Sequence, residues 1–139
     1  MATLQYSVAV RDAQNDALET AIGTAPLMQF FSGAMPANTA AADTGTKLVD
    51  FPLPADWLAA SSAGAKAKLG TWATTGLVGA GAGTAAGYFR VKNSAGTVVH
   101  VQGDITVTGG GGAMTLDNVS IANGQSVTIN TFTVTRNNA

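Results

Sequence analysis

The sequence predicts a mainly β domain: a β-sandwich, jelly roll or small barrel of about six to eight strands with one N-terminal α-helix. Two patterns carry that expectation. One stretch near the N-terminus has helical start and stop signals, and most of the chain beyond residue 27 alternates short apolar runs with glycine-rich turns. The length of 139 residues suits one domain, with an arm and helix over about 1–23 and a β domain over about 27–136.

Ser7 is a candidate N-cap for a helix running to about Ile22. Val10, Ala13, Ala17, Leu18, Ala21 and Ile22 form the stripe expected to face the core, and Gly23 and Pro26 supply the stop. Asp12, Asp16 and Glu19 fall on the other side and read as a solvated face. Residues 27–32 read as a strand and residues 33–45 as an extended loop. Residues 46–54 read as a strand that lies at an edge or ends soon after Phe51, because Pro52 and Pro54 cannot donate to a ladder.

Residues 54–68 suggest a short helical turn around Trp57 followed by a flexible, alanine-rich connection. Strand character resumes over 69–75, and residues 76–87 read as a long surface loop. Residues 88–92 and 97–108 form a hairpin about a turn at 93–96. Val99, Val101, Ile105 and Val107 share one face of its second strand, and a bulge or bend is expected at Gly103. A strand over 114–121 follows the Gly109–Gly112 break. In the last strand, 126–136, the apolar face switches near Asn130, as at a bulge or where a strand passes between packed sheets.

Composition excludes several classes of function. Only 11% of residues are charged, against a norm of about 25%, and the net charge is -1. The seven basic residues form no cluster able to neutralise phosphates, so no nucleic-acid partner is expected. Without cysteine there are no disulfides or thiolate sites. No apolar run approaches a membrane span and the N-terminus lacks signal-peptide character, so no membrane partner is expected and the chain reads as made in the cytosol.

Neither a catalytic nor a metal site emerges from the motifs. The glycines at 76–83 lack the Lys-Ser/Thr of a phosphate loop and precede a strand, not a helix. His100 is placed on the face opposite its flanking valines. Asp104 shares that face but lies about 13 Å away along an extended chain, too far to orient the imidazole unless a bulge at Gly103 shortens the path. Trp57, Trp72, Tyr88 and Phe89 could in principle stack on a sugar, but their apolar contexts mark them as core or interface anchors. No enzyme activity and no cofactor are expected.

The succession from Ser7 to Gly23, then Gly33-Ala-Met-Pro36 with Ala40-Ala-Ala-Asp43, resembles a group of small structural proteins of tailed bacteriophages. So do Leu53-Pro-Ala-Asp-Trp57, Lys68-Leu-Gly-Thr-Trp72, Gly87-Tyr-Phe-Arg90 and Met114-Thr-Leu-Asp-Asn118 followed by Ile121. The similarity spans most of the chain, and its motifs are turn and packing signatures without a chemical site. It implies a virion component on the capsid surface, made in the host cytoplasm. More narrowly it implies a capsid decoration or cement protein bound to the major capsid protein, and such proteins are often homotrimers. A tail, neck or fibre-associated protein and a carbohydrate-binding attachment module are the alternatives. The expected contacts are the arm before Ser7 and the two long loops, with Leu4, Tyr6, Met35, Pro36, Leu77 and Val78 as interface residues.

Overall fold

A computed structural model describes residues 3–138. It is mainly β and sandwich-like, with no closed barrel. One helix, α1 (Val8–Ile22), is followed by ten strands among the described residues: β1 (Leu27–Ser32), β2 (Lys47–Pro52), β3 (Ala65–Ala67), β4 (Trp72–Thr75), β5 (Thr84–Lys92), β6 (Val99–Val107), β7 (Met114–Leu116), β8 (Ser120–Ile121), β9 (Ser126–Ile129) and β10 (Thr133–Thr135). Ten replaces the expected six to eight because two predicted strands each divide and β3 forms within a stretch read as a flexible connection.

The main sheet has the order β2-β1-β5-β6-β7, with β8 paired to the start of β5. As the prolines predict, β2 is an edge. One face carries Met28, Phe30, Val49, Phe51, Phe89, Val91 and Ile105, all buried. Trp57, Trp72, Phe132 and the short β4–β9 and β3–β10 pairs complete the core around that face. The rings of Trp72 and Phe132 lie 5.3 Å apart and those of Trp57 and Trp72 6.2 Å, while each indole N–H finds a carbonyl, Gly23 for Trp57 and Leu69 for Trp72.

The face switch predicted near Asn130 is the point where the chain leaves β9, paired with β4, and enters β10, paired with β3. The expected strand over 114–121 splits: β7 pairs parallel with β6, and β8 pairs with β5. Parallel neighbours usually need a crossover of a dozen or more residues. Here the chain returns within residues 108–113, wrapped on Thr106. A Cβ at Gly110 or Gly112 would come within 2.7 or 2.9 Å of Thr106 atoms, and Gly109 and Gly111 have φ of 88° and 79°. Four successive glycines make that return possible.

Three local expectations are corrected. Residues 54–68 contain no helical turn: Leu58 bridges Lys68, and residues 62–65 form a tight hairpin turn in which Ser62 and Ala65 exchange both backbone hydrogen bonds. The loop at 76–87 is shorter than expected, because a 3-10 turn at Val78–Ala80 leads directly into β5 from Thr84. The bulge in β6 is not at Gly103, which pairs in register with Phe89, but at His100, between the Val101–Val91 and Val99–Lys92 pairs. Gly103 serves a different need: a Cβ there would meet the Phe89 ring at 2.6 Å.

Candidate interaction surface

Helix α1 is turned the opposite way from its apolar stripe. Ser7 caps it as expected, accepting from the Val10 N–H at 3.3 Å, and the Gly23 N–H closes it on the Glu19 carbonyl at 2.9 Å. Yet of the predicted stripe only Ile22 is buried and Leu18 half-buried, while Val10, Ala13, Ala17 and Ala21 are exposed. The buried position is Asn15, whose amide donates to Gly64 O at 2.9 Å and Ser61 Oγ at 3.2 Å. The acidic side, read as solvated, instead grips the β3 hairpin. Asp12 accepts from Ser61 Oγ and the Gly64 N–H, both at 2.8 Å, and the buried Lys66 ammonium reaches Asp16 at 2.7 Å and Glu19 at 2.8 Å. Arg11 donates to the Arg136 carbonyl. Polar contacts therefore hold this helix down together with Leu18 and Ile22, which pack against the core, and its alanine and valine side faces out.

These contacts set the local ionisation. Hydrogen bonds from Ser61 and the Gly64 amide, aided by Arg11, hold the Asp12 carboxyl below its ordinary value although burial works against them. Burial alone would lower the Lys66 ammonium, but its bonds to Asp16 and Glu19 outweigh that and leave it raised. A carboxyl whose folded-state pKa is depressed stabilises the fold above its unfolded pKa and loses that contribution as pH falls through the folded value. Asp12→Asn should therefore flatten the acid limb of the stability–pH profile below the ordinary value of 3.8, measured by denaturant unfolding at successive pH values. An unchanged slope would remove Asp12 from the linkage.

The turn beneath α1 has φ of 54° at Ala63 and 82° at Gly64, the conformation of a type I′ hairpin. Alanine is a poor residue there, and asparagine tolerates it. Ala63 is exposed, so Ala63→Asn should raise stability by about 0.5–1 kcal/mol, read as an increase in denaturation midpoint at constant m. Gly64 cannot be replaced in the same way, since a Cβ would lie 2.6 Å from Arg11 Nη1 and 2.8 Å from the Arg136 carbonyl oxygen.

The loop at 33–45 has no regular structure, as expected, but it is pinned to the outer face of the main sheet. Arg90, 1% exposed, donates from Nη1 to Ala41 O and Asp43 Oδ1 and from Nη2 to Asn38 O and Gln102 Oε1. Lys92 Nζ takes the other Asp43 oxygen at 2.7 Å, and the Tyr88 hydroxyl donates to Thr44 O at 2.6 Å. Gln102 Nε2 holds the Pro36 carbonyl. Along β5 these polar residues alternate with Phe89 and Val91 of the core, so the period-two pattern is itself the signal for a second, polar layer.

Of the six expected interface residues, four are exposed: Leu4, Tyr6, Met35 and Val78. Met35, 40% exposed, and Val78, 81% exposed, lie toward the end of the sheet where β1 finishes and β2 and β5 begin. Pro36 beside Met35 is buried, and Leu77 beside Val78 is half-buried, its N–H bonded to Leu48 O. Leu4 and Tyr6 belong to the arm, elsewhere on the chain. Both are exposed, and the Asn138 carboxamide clamps the Tyr6 backbone, accepting from its N–H at 2.7 Å and donating to its carbonyl at 3.1 Å. Residues 1 and 2 of the arm lie outside the described residues. Sequence reasoning misses two features: the outward orientation of the α1 stripe, and beside it an open cleft of about 530 Å³ with a mixed lining that includes Ala17, Leu18, Ile22, His100, Val101 and Arg136.

Comparison of the chain with protein-family models, with curated proteins and with solved structures finds no match. Because of the bulge, His100 shares the cleft with Val101 and does not face away from it, while Val99 lies over Lys92 on the outer face. Asp104 pairs with Tyr88 across the strands and accepts from the Ala113 N–H at 2.8 Å, so it does not orient the imidazole. Trp57, Trp72, Tyr88 and Phe89 are all buried, which leaves no sugar-stacking surface at those four positions.

Proposed function

We propose that this protein works by association, as a structural component of a tailed-bacteriophage virion that lies on the shell of major capsid protein and stabilises it, with neighbouring copies of itself as further partners. The observation that carries this reading is the inverted helix. An amphipathic helix normally buries its apolar stripe, whereas α1 leaves Val10, Ala13, Ala17 and Ala21 exposed, flanked by Leu4, Tyr6 and Val8. Alanines on that stripe make it low and smooth, suited to close approach by another protein surface. The low charge adds little long-range repulsion against such an approach.

Purified protein added to expanded capsid shells lacking it should bind and raise their melting temperature. A paired variant, Val10→Lys with Ala17→Glu, alters two exposed positions and should fold normally yet lose shell binding. Absence of binding by the unmodified protein would overturn the reading. Full binding by the paired variant would remove α1 from the interface and leave the arm and loops as the contact.

A further inference from the structure

The outer face of the main sheet holds two cations that share one carboxylate. Arg90 and Lys92 have side chains 1% and 8% exposed, and each takes one oxygen of Asp43, at 2.9 and 2.7 Å. The four hydrogen bonds of Arg90 occupy both terminal nitrogens of its guanidinium. Lys92 is different. An ammonium has three donors, and among the described residues its only hydrogen-bond partner is Asp43 Oδ2. The Phe31 ring, 5.6 Å from Nζ, gives it a second favourable but non-hydrogen-bonding neighbour.

A cavity of about 600 Å³ opens beside this pair, between residues 39–43 of the pinned loop and 96–99 of the β5–β6 hairpin, with Thr39 and Thr97 in its wall. Its charged lining is Arg90, Lys92 and Asp43, two positive groups against one negative. The remaining carboxylates of this sheet face are already engaged: Asp50 pairs with Lys47 at 3.0 Å, and Asp104 accepts from the Ala113 amide. A buried positive charge without full compensation is costly, and an anion that supplies the missing charge forms a short charge-assisted hydrogen bond in compensation. We infer that this cavity is an oxyanion site, in which Lys92 Nζ binds a carboxylate or phosphate oxygen between the 39–43 loop and the 96–99 hairpin. The oxyanion is either free in solution or a carboxylate carried by a neighbouring protein, and both present the same chemistry to Lys92.

The test is a titration followed by amide NMR, adding sodium phosphate or sodium acetate against sodium chloride at constant ionic strength. Saturable shifts are expected at Thr97, Val98 and Asp43, lost in Lys92→Met and tightened several-fold in Asp43→Asn, where both cations remain and the competing carboxylate is gone. Saturation by acetate at lower concentration than by phosphate identifies a carboxylate site of the kind a protein neighbour would fill; the reverse order identifies free phosphate. No saturation below about 50 mM in either the unmodified protein or Asp43→Asn overturns the inference, as do shifts that persist in Lys92→Met. Should Lys92→Met fail to fold, Asp43→Asn decides alone: unchanged affinity there rules out Asp43 as the competing group and with it the site.

Discussion

Replacing Arg90 with methionine is expected to cost about 3 kcal/mol of stability and to release the 33–45 loop from the sheet. That magnitude rests on four hydrogen bonds made by a charged group, each worth about 1.5–3 kcal/mol when intact, discounted because the freed carbonyls of Asn38 and Ala41 regain water. The Asp43 carboxylate keeps Lys92 as a partner, so the larger penalty of a lone buried charge does not apply. Methionine retains most of the stem volume, which separates loss of the guanidinium from loss of packing. Two measurements check it. Denaturant unfolding should show a lower midpoint, and limited proteolysis should cut first within 33–45, at a rate above that of the parent. A loss below about 1 kcal/mol with an unchanged cleavage pattern would mean that Arg90 is not what holds the loop.

Legibility in the sequence follows the kind of interaction involved. The helix ends, β1, the edge position of β2, the β5–β6 hairpin and the crossing from β9 to β10 are all readable, because caps, prolines, turn glycines and period-two alternation act locally. The orientation of α1 is not. Its apolar stripe is plain in the sequence, but the helix settles with Asn15 inward and Asp12 and Glu19 half-buried, Asp16 reaching in from the rim, because the β3 hairpin offers a matching set, Ser61, the Gly64 backbone and Lys66, about 50 residues away in the chain. No local pattern announces that match, since Lys66 lies in a run of alanine and glycine that reads as flexible. The position of the bulge escapes for a related reason. Glycine in a strand signals either a bulge or a close approach, and Gly103 is the second kind, lying under Phe89, a pairing that only the sheet register decides.

The same distinction produces the second large effect, at Gly87. In the sequence it closes a glycine-rich stretch and looks dispensable, but in the fold it is the extra residue of β5 where the pairing with β1 slips between Tyr88–Phe31 and Ala86–Ser32. An added Cβ would collide with the backbone of Gly33, its carbonyl oxygen above all, and lie 2.9 Å from the Gly33 carbonyl carbon. No side chain can swing aside there, so relief requires one of two central strands to move. Gly81 is a useful control from the same stretch. It has φ of 59° with ψ of -139° and nothing within 4 Å of where a Cβ would stand, so its substitution meets only the backbone penalty, about 1–3 kcal/mol, of a conformation that residues other than glycine rarely adopt. Gly87 carries no positive φ, and its cost is wholly steric. Gly87→Ala should lose about 3 kcal/mol, at the upper end of ordinary overpacking, whereas Gly81→Ala, with no clash to relieve, should lose less. Denaturation midpoints of the two variants test the ordering. If Gly87→Ala proved milder than Gly81→Ala, the slip in register would be loose enough to absorb a methyl group, and the β1–β5 pairing would not be the rigid frame on which the 33–45 loop and its buried cations are set.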